Sequence, residues 1–149
     1  MLHKWFKDYL ESRPCLTAFN DLENKEPRQH THFILFPPNK WFNLTLNQIL
    51  DRPQWYKGVL HNHPWFNISI ILKGGYWEKT EKALKWYRPG SIIFRSAQKY
   101  HSIWIEDGKP AWTLFIHGPV TKKSFDFMQD GLPVTPEQLG LPKAVVKHK

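Results

Sequence analysis

Apolar residues along this chain recur in short runs separated by turn-forming pairs. The opening stretch is different: in HKWFKDYLES (3–12), Trp5, Phe6, Tyr9 and Leu10 fall at i, i+1, i+4 and i+5, one face of a short helix. Arg13-Pro14 ends it, because proline disfavours helical backbone in the residue before it. Residues 20–32, NDLENKEPRQHTH, are polar and read as a loop that leaves His30 and His32 solvated. From Phe33 onward come eight runs rich in β-branched and aromatic residues: FILF (33–36), WFNLTL (41–46), WFNISIIL (65–72), GYWEK (75–79), ALKWY (83–87), SIIFR (91–95), HSIWI (101–105) and AWTLFIH (111–117). Pro37-Pro38-Asn39, Arg88-Pro89-Gly90, Asp107-Gly108 and Gly118-Pro119 punctuate them as turns. Past Gly118 the alternation fades, and Thr135-Pro136-Glu137 opens at most one helical turn.

Eight short strands with no helical repeat among them predict an all-β antiparallel sandwich or barrel. Side-chain parity then sorts the faces. His61, His63, Asn67 and Ser69 share one parity and line the interior, whereas Phe66, Ile68, Ile70 and Leu72 face out. Four outward apolar positions in a row are costly to leave in water. Either the N-terminal helix, through Trp5 and Tyr9, or a second copy of the chain must cover them; a homodimer is the simplest use of a self-complementary patch. Asp107-Gly108 at a hairpin tip would set 103 against 112 and 101 against 114. That pairing points Trp112, Leu114 and Ile116 inward beside His101 and turns His117 outward.

Composition narrows the class. A chain of 149 residues suits one domain, here a helix and loop (1–32), a barrel (about 33–118) and an irregular tail (119–149). Ten Phe, eight Trp and five Tyr exclude a disordered or coiled-coil chain. Cys15 is the single cysteine, so a secreted disulfide scaffold is excluded. The N-terminus has no uninterrupted apolar stretch of the signal-peptide kind, the longest aliphatic run is Ile70-Ile71-Leu72, and a cytoplasmic location away from membranes is expected. The net charge of +8 is spread along the chain rather than gathered into an arm, which disfavours a nucleic-acid partner.

The candidate chemistry lies in the histidines. Residues i and i+2 of a strand point the same way about 6–7 Å apart, so His61 and His63 can reach one ion. His61-x-His63 is followed by Asn67 and Gly74, and later by Gly90, Ser96, Gln98 and His101. This layout, over roughly 41–118, resembles the two signature motifs of the cupin superfamily. The resemblance implies a double-stranded β-helix (a cupin, or jelly-roll, barrel) and puts His61, His63 and His101 on its three metal-binding histidine positions. Trp41-Phe42-Asn43, His63-Pro64-Trp65, Gly74-Gly75-Tyr76, Arg88-Pro89-Gly90-Ser91 and Trp112-Thr113-Leu114 with Gly118-Pro119 are similar to the small single-domain cupins of phages and bacteria. The chain departs from the pattern too: Asn67 stands where the metal-binding Glu usually does, Ser96 and Gln98 replace Pro and Gly, and Ile105 replaces Asn.

Imidazole ligands suit Zn, Cu, Fe and Ni. Similarity to the three-histidine faces of cupin dioxygenases favours Fe(II), with Zn, Ni, Mn or Cu as substitutes. The resemblance therefore implies a mononuclear Fe(II)-type oxygenase acting on a small polar or anionic molecule. Trp65, Tyr76 and Trp112 would wall its pocket, and Asn67 and Arg95 would anchor substrate, arginine offering a bidentate grip. No acid or base is assigned. The rival is a non-catalytic module that binds a ligand or partner without a metal, which the missing Glu favours. A 2-oxoglutarate oxygenase is disfavoured, because His63 occupies the carboxylate position and no arginine follows Arg95. Ser96-Ala97-Gln98-Lys99 matches the acyl-enzyme Ser-x-x-Lys but lacks its companion motifs, and Cys15 has no neighbouring histidine to activate it.

Overall fold

A computed structural model describes residues 15–17, 30–36, 39–50, 57–106, 108–123 and 125–139; the expected helix over 3–12 lies outside them. The described residues form twelve strands: β1 (Cys15–Thr17), β2 (His30–Ile34), β3 (Asn43–Ile49), β4 (Val59–His61), β5 (Asn67–Lys73), β6 (Tyr76–Thr80), β7 (Leu84–Tyr87), β8 (Ile92–Arg95), β9 (His101–Trp104), β10 (Ala111–His117), β11 (Phe127–Gln129) and β12 (Leu132–Val134). They pair antiparallel in two six-stranded sheets, ordered β1-β2-β3-β10-β5-β8 and β12-β11-β4-β9-β6-β7. No helix among the described residues is long and apolar enough to cross a membrane. The architecture is the expected all-β jelly-roll barrel.

Alternation fills the space between the sheets. Asn67, Ser69 and Ile71 of β5 are buried while Leu72 is exposed, and in β8 Ile93 and Arg95 are buried while Ile92 and Phe94 are exposed. The interior divides along the strands. Ile49, Ile71, Tyr76, Ile93, Ile103, Ile105 and Ala111 pack into an apolar cluster with Tyr87 against it. Asn47, Asn67, Ser69, Glu78, Arg95, His61 and His101 are buried beyond that cluster and form the polar part of the interior.

Gly74 shows why the motif glycine is a glycine. It joins β5 of one sheet to β6 of the other with φ +73°, and a Cβ there would sit 2.8 Å from the Pro110 carbonyl oxygen. An L side chain would combine left-handed strain with a backbone clash. Gly74→Ala should lose about 1–3 kcal/mol in urea unfolding, a figure typical of one strained backbone site; an unchanged midpoint would contradict this account.

Several local expectations are corrected. The loop assigned to 20–32 ends early: β2 starts at His30, and His32, opposite Asn47, bonds that buried side chain (Nδ1 to Oδ1, 2.8 Å) instead of being solvated. The second run begins at Asn43, not Trp41, because Asn39 Oδ1 accepts the N–H groups of Trp41 and Phe42 and holds them in a turn. β9 and β10 lie in different sheets, so the expected pairing of 103 with 112 and of 101 with 114 does not form; Asp107 itself lies outside the described residues. β10 pairs instead with β3 and β5. That reverses its parity: Ala111 and Thr113 are buried, and Phe115 and His117 turn toward the histidines, while Trp112 stacks on Phe33 across the outer face (ring centroids 6.2 Å). The tail is also more regular than expected. Asp130 and Gly131, with φ of 51° and 79°, make the left-handed two-residue turn that joins β11 to β12. One helical turn does form at Thr135, closed by Leu139 N–H to the Thr135 carbonyl and by reciprocal bonds between Thr135 and Gln138.

Candidate metal centre

β4 and β9 pair so that His61 stands directly opposite His101. His63 lies two residues past the end of β4, where the strand has opened into a loop. That loop is tied down rather than loose. Asn62 N–H donates to the Asp126 carbonyl, Thr121 N–H donates to the Pro64 carbonyl at 2.7 Å, and the buried Asn62 side chain bonds both Asp126 and Lys122. The segment after β10 thus straps the histidine loop in place.

The three rings converge. Their centroids are 4.8 Å apart for His61 and His101, 5.1 Å for His61 and His63, and 5.2 Å for His63 and His101. One nitrogen from each ring falls within 4.8 Å of the others. His63 Nε2 and His101 Nε2 are 3.0 Å apart. Two imidazole nitrogens bound about 2.1 Å from one ion at right angles would be separated by about 3.0 Å, so this spacing fits a shared first-row metal. Burial pushes the His63 pKa well below the usual imidazole value, and the neighbouring His61 and Arg95 push it further. His63 is therefore neutral at pH 7, the form that ligates. Its Nδ1 is buried with no hydrogen-bond partner among the described residues. Three converging imidazoles, with His63 neutral, fit a divalent ion.

Beside the histidines lies a network that bridges the sheets. Glu78 of β6 is 1% exposed; its Oε1 accepts from Arg95 Nε and lies 2.9 Å from His101 Nδ1, a close contact outside hydrogen-bond geometry. Arg95 of β8, 2% exposed, donates from its terminal nitrogens to Asn67 Oδ1 (3.3 Å), Ser69 Oγ (3.0 Å) and Tyr76 Oη (2.9 Å). Burial alone would lower the arginine's pKa, but Tyr76 and Glu78 outweigh it and the net shift is upward. On the other side of His63 is an aromatic wall. Phe125 is 5.2 Å and Phe115 6.1 Å from its ring, and Trp65 is 6.0 Å away and stacks on His117 at 4.2 Å. Trp65 Nε1 is buried without a hydrogen-bond partner among the described residues.

The structure brings together His61, His63 and His101 as the sequence implied, and it places Trp65 beside them. Asn67, Tyr76 and Arg95 are interior but face one another, with the Asn67 oxygen given to Arg95. Trp112 is on the opposite face of its sheet and does not reach the site. Sequence reasoning missed Glu78, although placing Tyr76 inward implied it, since residues two apart on a strand share a face. It also missed Phe115 and His117, through the parity of β10, and Phe125, which carried no local signal.

No family model matches this sequence, and no curated protein is similar to it. Solved structures are. An Fe(II) structure of HppE is 16% identical with a TM-score of 0.57, over 72% of this chain and 57% of that one. The cupin domain of Schizosaccharomyces pombe Cnp3 is 14% identical at a TM-score of 0.51, over 62% of this chain and 66% of that domain. A cupin-2 domain from Rhodospirillum rubrum is 19% identical at 0.56, over 84% and 78%. The chain thus spans just over half the length of HppE and about two thirds of the yeast domain. With two antiparallel sheets closing around a three-histidine cluster, the chain has the fold of the cupin superfamily.

Proposed function

We propose that His61, His63 and His101 bind one divalent transition metal, Fe(II) ahead of Zn, Ni, Mn or Cu, and that the protein is a mononuclear metal oxygenase acting on a small molecule. The observation that carries the reading is the convergence of three ligand nitrogens within 4.8 Å, one of them on His63, a ring that burial keeps neutral. Similarity to HppE in its Fe(II) form supports the choice of iron. When bound, such an ion supplies a Lewis acid with open positions for substrate and O2. The chain's own residues do the rest. Trp65, Phe115 and Phe125 exclude water beside His63 and offer flat apolar surface to a substrate's body. Arg95 is committed to Glu78, Asn67, Ser69 and Tyr76, so the polar or anionic end of the substrate is held on the metal side and not by this guanidinium. The same proposal keeps the protein in the cytoplasm. Metal analysis of untagged protein tests it: about one equivalent of a transition metal is expected, and none after loading with Fe(II) would leave the rival, a metal-free binding module. The direction of the Asn67 oxygen, toward Arg95, favours that rival by withholding a fourth protein ligand.

We also propose a homodimer. Phe66, Leu72, Ile92 and Phe94 on the outer face of β5 and β8 are 39%, 51%, 71% and 63% exposed, and Phe66 stacks on Phe94. Sedimentation at micromolar concentration should give twice the chain mass, and Ile92→Glu with Phe94→Glu should give the monomer. A wild-type monomer would refute the dimer.

A further inference from the structure

We infer that Glu78 is the positioning residue of the metal centre: its carboxylate holds the His101 ring so that Nε2 is presented to the ion. The inference rests on the metal reading above and names the residue that orients one of the ligands.

Register puts the two side chains within reach. Glu78 of β6 stands opposite Ile103 of β9, so His101 is its diagonal neighbour two residues along, on the same inward face. Diagonal pairs are about 7–8 Å apart at the backbone, a gap that a glutamate can cross. The two ring nitrogens of His101 are divided between different neighbours. Nδ1 lies 2.9 Å from Glu78 Oε1, and Nε2 lies 3.0 Å from His63 Nε2. The carboxylate contact is made at Nδ1, which leaves Nε2 as the ring nitrogen that faces the other histidines. Glu78 is itself held. Arg95, from the opposite sheet, donates Nε–H to the same carboxylate oxygen, and Asn67, Ser69 and Tyr76 fix the guanidinium. The orientation of His101 is therefore braced from both walls of the barrel. Partners of this kind typically change metal affinity 10- to 100-fold when removed.

Glu78 could instead serve only as the counter-ion of Arg95, and the test separates the two roles. Removing Glu78 alone strands a buried arginine, so the informative protein is Glu78→Leu with Arg95→Met, which discards both charges together. Co(II) affinity is read by visible absorption on protein whose fold is checked by circular dichroism. The double variant should bind Co(II) 10- to 100-fold more weakly than wild type. Arg95→Met alone, if it folds, should stay within about threefold of wild type, because Glu78 still holds the ring; if it does not fold, the double variant decides. Nitrogen-15 NMR of the metal-free proteins adds a readout that a packing defect would not move: His101 protonated at Nδ1 in wild type, and that preference lost in the double variant. Equal Co(II) affinity in wild type and the double variant, or a wild-type His101 protonated at Nε2, overturns the role of Glu78 and leaves the metal reading standing. Wild type that binds no Co(II) overturns both.

Discussion

Arg95→Met should cost about 3–5 kcal/mol of folding stability, the usual result of removing one partner from a buried ion pair. Arg95 and Glu78 are 2% and 1% exposed, so neither charge can be re-solvated by a side-chain rotation. Losing the guanidinium leaves the Glu78 carboxylate in the interior and takes the donors from Asn67, Ser69 and Tyr76. A domain of this size is stable by about 5–15 kcal/mol in total, so the variant should be close to unfolded at 37 °C. Glu78→Leu in the same chain should recover most of the loss, because desolvation of both ions roughly offsets their attraction and apolar replacements avoid it. Urea unfolding of wild type, the single variant and the double variant decides it. A single variant within 1 kcal/mol of wild type would show that the pair is not buried as described, and a double variant as weak as the single would show that packing, not charge, sets the cost.

The second large effect concerns the metal. Anything that binds only the native state stabilises it by mass action, by about 4 kcal/mol when present at 1,000 times its Kd. For a chain of this length that is roughly a 10 °C rise in Tm. Added Fe(II), kept reduced, should produce such a rise in wild type. His61→Ala, His63→Ala and His101→Ala should each abolish it. The comparison is of the metal-induced shift, not of Tm itself, since His61 and His101 are buried and their removal opens space in the interior whether or not an ion binds. His63, half-buried on its loop, is the cleanest of the three. A shift that persists in the His101→Ala protein would place the ion elsewhere.

Much of the fold was legible because its signals are local. Runs such as 67–73 and 76–80 alternate strictly enough to fix which side chains face inward, and the same alternation marked Phe66 and Leu72 as outward. The errors in β10 share one cause. An Asp-Gly pair marks a tight turn, but it does not say whether the flanking strands remain in one sheet. Asp107-Gly108 separates strands of different sheets, whereas Asp130-Gly131 closes a true hairpin. Choosing the first as the hairpin reversed the parity of β10. Trp112 was thereby assigned to the interior, and Phe115 and His117 were left out of it.

Residue types and spacing by themselves determined the strand runs, the absence of an intramolecular disulfide and the shared side of His61 and His63; the resemblance to the cupin motifs added His101 to them. Only the tertiary structure decided what those imidazoles meet. Glu78 and Arg95 are 17 residues apart and come from opposite sheets, and Phe125 arrives on a strap that follows β10. A charge is neutralised, and a ring oriented, by whatever group lies within hydrogen-bond reach in space. Closing a sheet on itself brings together groups whose separation along the chain carries no trace of that distance.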